Sequence, residues 1–330
     1  MIDHYQLLWF GMGIGFTVIT ESLIWFCWRF FGAGSLRDYI FEEEEPGGNY
    51  RVIKKIKSPV QKIALVEQYG QYHVFANGSE MFSTTEDENK YAEAIIHVPM
   101  AVAKKRQRIL IIGAGGGITA REALLYPEVN EITAVDFDAT IMDFGKNLEP
   151  LVKFNKGSLN HPKVRTVIQD GRAFVENSSE KWDIIIQDLP EPASECPELS
   201  RLFSVEYYKI LQEHLEPEGV ITVACSSSST MPDYFGAVQA TLKAAGFYVL
   251  PYHFDFIVEF GSDWGFCLAA TRPISPRDVQ IKVSTRYLNQ RRLKDMFHIP
   301  YYLSVDWDER DIQTDQNKLL LKIVEETWEN

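Results

Sequence analysis

Between residues 108 and 224 the chain repeats one pattern: a short apolar run that stops abruptly on glycine or aspartate. Arg108 to Ile112 stops at Gly113, Glu131 to Val135 at Asp136, and Lys163 to Ile168 just before Asp170-Gly171. Trp182 to Gln187 stops at Asp188, and Gly219 to Ala224 ends in a run of serines. Helical spacing fills the gaps, as in Thr119 to Leu125, Val205 to Leu215 and Tyr234 to Ala245. Runs this short and this apolar suit strands buried on both faces. Strands alternating with helices imply a doubly wound, mostly parallel α/β sheet of Rossmann-like type. Two further strands, Phe247 to His253 and Trp264 to Ala270, are placed to pair as a hairpin.

Ahead of this body the spacing changes. Residues 61–85 read as short strands, with Tyr69-Gly70 and Asn77-Gly78 as turns, so a small β-domain is expected. Residues 5–34 hold only two charges, Glu21 and Arg29, and Leu7 to Trp28 is 22 residues long. About 20 apolar residues cross a bilayer, so residues 6–31 read as a membrane helix. Arg29 and Arg37 follow the run and no Lys or Arg precedes it, which orients the body to the cytoplasm in a single-pass arrangement. The alternative is a cytoplasmic protein whose apolar helix packs on the body; Glu21 favours it, because a lone carboxylate at mid-membrane is costly. The expected organisation is an anchor helix (1–40), a linker and small β-domain (41–106), a nucleoside-binding domain (107–272) and a helical extension (273–330).

The formal net charge is −13, carried almost wholly by residues 41–272. That excludes a nucleic-acid binder working through a basic footprint and leaves room for a cationic partner. Cys27, Cys196, Cys225 and Cys267 form no CxxC pair, and the seven histidines show no metal spacing, so no metal site is expected.

The chemistry is expected where the strands end. Gly113, Gly115 and Gly117 form GxGxG after the first strand, letting the backbone approach a ligand at a helix N-terminus. An acid ending the second strand typically accepts from ribose hydroxyls. Asp136 is the better placed for that, and Asp138 suits a helix cap. Asp170, with Gly171, is in reach of an adenine amino group. Asp188 and Glu191 flank a proline-stiffened loop at the sheet's switch point, where two carboxylates suit a protonated amine.

In these motifs the chain resembles the spermidine synthases (polyamine aminopropyltransferases) over residues 57–272. Ser58-Pro59-Val60-Gln61 is similar to that family's SPYQ, and Asp87 to Glu93 with His97 to its DExxYxE…H segment. Gly113 to Glu122 resembles GGGDGG…RE, and Asp188 to Pro192 the DxxDP loop. The tail, Trp264-Gly265-Phe266 and then Ser284 to Trp328, is closest to a membrane-attached bacterial branch. The resemblance implies a methyltransferase-type sheet and an aminopropyl donor, decarboxylated S-adenosylmethionine, with a polyamine acceptor and a homo-oligomer. By that resemblance Gln61, Tyr91 and His97 line the nucleoside and amine pockets, Asp136 holds ribose and Asp170 adenine. Asp188 serves the attacking amine with Tyr91, and Glu191 binds the far amine.

One departure stands out. The family's aspartate in GGGDGG is Gly116 here, which removes a charge-assisted hydrogen bond to the donor's amino group. Two other readings therefore stay open: a small-molecule methyltransferase using S-adenosylmethionine itself, and a non-catalytic nucleoside-binding membrane scaffold.

Overall fold

The computed structural model describes residues 35–42, 44–299 and 311–328. The expected membrane helix at 6–31 lies outside them. Among the described residues no helix is long and apolar enough to cross a membrane. The chain divides into two compact units, one ending at Met81 and one beginning at Phe82.

The first unit carries an antiparallel meander of β1 (Arg51–Lys57), β2 (Lys62–Gln68), β3 (Gln71–Ala76) and the start of β4 (Ser79–Ser83), in that order. The turns after β2 and β3 are two residues long. Tyr69 and Gly70 both take positive φ, as do Asn77 and Gly78, the twist that a tight hairpin demands. Ile40, Ala64, Val66 and Phe75 make its small core.

The second unit opens with α1 (Glu86–Val102), then β5 (Arg108–Ile112), α2 (Ile118–Ala123), β6 (Glu131–Asp136), α3 (Ala139–Asn147) and α4 (Glu149–Phe154). Next come β7 (Val164–Ile168), α5 (Gly171–Glu176), β8 (Trp182–Gln187), α6 (Val205–Glu213), β9 (Leu215–Ala224) and α7 (Pro232–Ala244). The hairpin β10 (Tyr248–Ile257) and β11 (Ser262–Ala270) is followed by α8 (Gln290–Met296) and α9 (Leu319–Trp328). The unit boundary therefore falls ahead of α1 and not at residue 107. Ala94, Ile95, Ile96 and Val98 of α1 belong to the core of the large sheet, so the helix cannot be parted from it.

Seven strands run in the order β10-β11-β9-β8-β5-β6-β7. β5 to β9 are mutually parallel, and the hairpin adds two antiparallel strands at one edge. Alternate residues feed two separate cores. Ile109, Ile111, Ile184 and Ile186 pack on one face, while Leu110, Ile112, Ile185 and Val223 pack on the other. Both faces are covered, which is why the strands read as unbroken apolar runs. β5 and β8 are the central neighbours, so the chain reverses its winding between them, and open sheets of this kind bind ligands there.

The extension beyond residue 272 is held by carboxylates. Glu93, buried on α1, accepts the backbone N–H groups of Arg286 (2.7 Å), Tyr287 (2.9 Å) and Leu288 (3.1 Å). Farther on, Asp315 accepts two hydrogen bonds from the Arg172 guanidinium, at 2.6 and 2.8 Å, and one from Ser204 at 2.6 Å.

Candidate active site

The glycine turn after β5 is shaped by its neighbours. Gly113 has φ +91°, and a Cβ there would run into the backbone carbonyl of Asp188. Glycine is thus required for β5 and the β8 loop to lie side by side, where the Asp188 N–H also bonds to the Ile112 carbonyl at 2.9 Å. A Cβ on Gly115 would sit 2.6 Å from Asp136 Oδ2. Gly117, at φ +72°, opens α2.

Asp136 is the hub of this turn. Its Oδ2 accepts from Gly115 N at 2.9 Å and its Oδ1 from Asp138 N at 2.9 Å. Burial nevertheless pushes its carboxyl up to about 6, against those two backbone bonds. Asp138 caps α3 by accepting from Thr140 N at 2.7 Å. Asp170 caps α5 through Ala173 N at 2.8 Å and pairs with Arg201 at 3.3 Å, near the solvent edge. The glycine at 171 is explained by packing, since a Cβ would meet Ile112. Exposed apolar residues flank these acids: Phe137 is 40% and Ile168 56% exposed at the carboxyl ends of β6 and β7. Neither was singled out in sequence, although an exposed Phe between two acids is the kind of signal that marks a ring-binding ledge.

Across the switch point Tyr91 of α1 donates to Asp188 Oδ1 at 2.6 Å. Thr119 of α2 is a second donor to that carboxylate. Burial pushes the Asp188 carboxyl up to about 6, opposed by Tyr91 and Thr119 and reinforced by the charge of Asp136. The Tyr91 phenol is driven well above its ordinary value, by burial first and then by Asp188, so it remains a hydrogen donor at neutral pH. Around Tyr91 stand Phe266 (5.5 Å between centroids), Phe260 (5.9 Å) and Trp264 (6.3 Å). An aromatic wall beside two carboxylates suits a cation on an alkyl chain. Glu191 is likewise raised by burial, eased by Ser226.

His97 is placed differently from the pocket-lining position expected. It is fully buried in the seam between α1 and α2, with Tyr126 Oη at 3.0 Å from Nδ1 and Glu122 Oε2 at 3.2 Å from Nε2. Glu122 also takes Arg121 Nε at 2.8 Å, and Arg121 reaches Asn89 at 2.7 Å. The matching DExxYxE…H and RE segments are therefore the two sides of one buried polar seam that positions Tyr91 and the glycine turn. Gln61 lies in the first unit, in a turn where Ser58 Oγ accepts its N–H at 3.0 Å.

A glycine-turned, acid-tipped sheet with a buried Tyr–Asp pair at its switch point defines an open α/β protein that binds ligands at its strand ends. A sequence model of the spermine/spermidine synthase domain matches residues 88–276. The polyamine aminopropyltransferase of Oceanobacillus iheyensis is 31% identical over 285 residues, covering 84% of this chain and 54% of that protein. Polyamine aminopropyltransferase 2 of Aquifex aeolicus is 30% identical over 262 residues, covering 79% and 52%. The chain thus spans about half the length of the curated relatives it matches. The crystal structure of spermidine synthase from Thermotoga maritima has the same fold, with a TM-score of 0.66 at 23% identity over 77% of this chain and 86% of that one. A spermidine synthase in complex with the transition-state analogue AdoDATO aligns with a TM-score of 0.65, also at 23% identity and with the same coverage of both chains. The chain belongs to the spermine/spermidine synthase family.

Proposed function

We propose that this protein transfers an aminopropyl group from decarboxylated S-adenosylmethionine to a polyamine acceptor and releases methylthioadenosine. The observation that carries the reading is the buried Tyr91–Asp188 pair, 2.6 Å apart, beside the glycine turn. Its setting in a family of aminopropyltransferases supports the same reading. Asp136, Gly113, Gly115 and Gly117 hold the nucleoside. Asp170, Gly171, Phe137 and Ile168 lie along the adenine end, with Gln61 assigned to the donor side by resemblance.

The acceptor arrives as an ammonium and becomes a nucleophile only after losing a proton. Asp188, with its carboxyl near 6, is matched to that transfer at neutral pH. Tyr91 fixes one oxygen so that the other faces the amine. Nitrogen then attacks the propyl carbon beside the sulfonium, the C–S bond breaks as the C–N bond forms, and the proton passes to Asp188. Glu191 holds the far ammonium and fixes the reach of the attacking end.

Gly116 favours one competing reading. A Cβ there would lie 3.3 Å from the Phe82 ring, so the donor meets a ring and no carboxylate at that position. Methyl transfer from intact S-adenosylmethionine would fit such a neutral site. Incubation with either donor plus putrescine, spermidine and other diamines, read by mass spectrometry, separates the two. Methylthioadenosine with an alkylated amine is expected; S-adenosylhomocysteine would replace this reading with methylation. Membrane anchoring through residues 6–31, a cytoplasmic body and a homo-oligomer are further parts of the proposal. Membrane fractionation of the full chain against a version starting at residue 41 tests the anchor, with release of only the shortened form expected.

A further inference from the structure

Gln187 is the last residue of β8, directly before Asp188, and its side chain is completely buried. Its register partners are Ile112 on β5 and Val223 on β9, both members of the core beneath α6 and α7, so the amide points into that face. Neither Nε2 nor Oε1 has a partner at full hydrogen-bond geometry; the amide's weaker contact is with the Tyr208 phenol. The phenol oxygens of Tyr208 on α6 and Tyr234 on α7 are buried and lack a partner at that geometry as well, and so does Glu191 Oε1.

These groups converge. The Tyr208 phenol faces the Gln187 amide and the Cys225 and Cys267 thiols. The Tyr234 phenol lies in the field of Glu191, Tyr208 and Cys225. Four elements of the second unit, β8, β11, α6 and α7, and Cys225 just past β9 therefore aim polar atoms at one region behind Glu191. An apolar core that carries unpaired amide and phenol groups is disfavoured, because buried polar atoms lose their water without a replacement. Leucine at 187 would fill the same space at no such cost.

We infer that Gln187, with Tyr208 and Tyr234, forms the end wall of the acceptor subsite and selects substrates with a second primary ammonium. The inference rests on the aminopropyl-transfer reading. An ammonium has three N–H donors and no acceptor. The end wall offers acceptors at Gln187 Oε1, at the two phenol oxygens and at Glu191 Oε1, with the carboxylate as the single formal charge. The Gln187 Nε2 can donate to a phenol oxygen and so keep its own oxygen turned toward the ligand. One ammonium on a short alkyl chain satisfies this set; a methyl end leaves it unpaired.

The test is calorimetric binding of putrescine and of n-butylamine, its analogue without the second nitrogen, to the full chain saturated with methylthioadenosine. Wild type is expected to prefer putrescine. In Gln187→Leu the putrescine affinity should fall about tenfold to a hundredfold, the range for a hydrogen bond to a charged group. The n-butylamine and methylthioadenosine affinities should hold, and the melting temperature should stay at or above wild type. In a turnover assay the acceptor KM should rise by more than kcat falls. Tyr234→Phe, which removes only the hydroxyl, should give the same direction if the first variant folds poorly. A Gln187→Leu protein that keeps the wild-type preference for putrescine overturns the inference and leaves the transfer reading standing. A wild-type protein that binds neither amine overturns both.

Discussion

Replacing Asp188 with Asn should abolish turnover and stabilise the protein. The carboxyl is raised from its ordinary 3.8 to about 6, first by burial, with Tyr91 and Thr119 opposing and Asp136 reinforcing. A carboxylate whose pKa is higher in the fold than in the unfolded chain binds its proton more tightly when folded. Its contribution is therefore a penalty that is absent below about 4 and grows as pH rises through 6. Above that range it is complete, and the displacement corresponds to about 3 kcal/mol. Asparagine removes the charge but keeps a carbonyl oxygen for Tyr91. Weaker hydrogen bonds to a neutral amide return part of the gain, leaving about 1–3 kcal/mol. For a unit of this size that is a rise of roughly 3–8 °C in melting temperature.

The assay is thermal unfolding of wild type and Asp188→Asn between pH 4 and pH 8, with methylthioadenosine formation measured alongside. The gap should be widest at pH 8 and close toward pH 4, because the folded wild type then carries the proton and no longer holds a buried charge. Adding putrescine should raise the melting temperature of wild type more than that of the variant, since the ammonium offsets the charge that only wild type holds. A variant less stable than wild type at pH 8, with a gap that does not change with pH, would refute the argument. In that case Asp188 is held by its hydrogen bonds and not strained by its charge.

Three more outcomes follow from the contacts. Glu93→Gln leaves at least one backbone N–H of residues 286–288 without its charged acceptor and should cost about 2–4 kcal/mol in denaturant unfolding; a loss under about 0.5 kcal/mol would mean the extension is held elsewhere. Gly115→Ala places a methyl against Ile141 Cγ2 and 2.6 Å from Asp136 Oδ2, so the melting temperature should fall and methylthioadenosine affinity, read by calorimetry on the folded variant, should drop at least about tenfold; unchanged affinity would take the turn out of nucleoside binding. Gly116→Asp should shift donor preference toward the decarboxylated form, with the Phe82 ring yielding by a few tenths of an ångström, and unaltered competition between the two donors would show that position 116 does not set the choice.

The large sheet is legible because its physics is local. Ile109 to Ile112 and Ile184 to Ile186 face cores on both sides, so the sequence needs no polar alternation and reads as a strand at once. Hairpin turns are equally local: Asn77-Gly78 connects strands that begin and end one residue away. The acids are where local reading runs short. Asp136, Asp138, Asp170 and Asp188 all follow strands and look alike in sequence. Asp138 and Asp170 spend an oxygen on an N–H two or three residues ahead, which spacing can suggest. Asp188 is distinguished by Tyr91, 97 positions earlier, and no periodicity reports that. The setting of His97 is hidden for the same reason, since its two partners lie on α2 and just past its end, 25 and 29 residues on. The extension hid its anchor too: its backbone docks on Glu93, nearly 200 residues upstream.

These long-range pairings share a direction. Glu93 and Asp315 meet donors of the protein itself, three N–H groups in one case and a guanidinium with a hydroxyl in the other. Asp188 meets neutral hydroxyl donors and Glu191 a hydroxyl and its own backbone N–H, and burial leaves both with raised pKa values. Carboxylates that exist to stabilise a fold are found with a cation or a set of N–H groups; carboxylates left short of positive charge mark the place where a ligand must bring it. The acidic surplus of the body would draw any cation to the surface, whereas these two, beside the aromatic wall, are positioned to gain from one. Their electrostatic deficit, more than the net charge of −13, is what points to an amine.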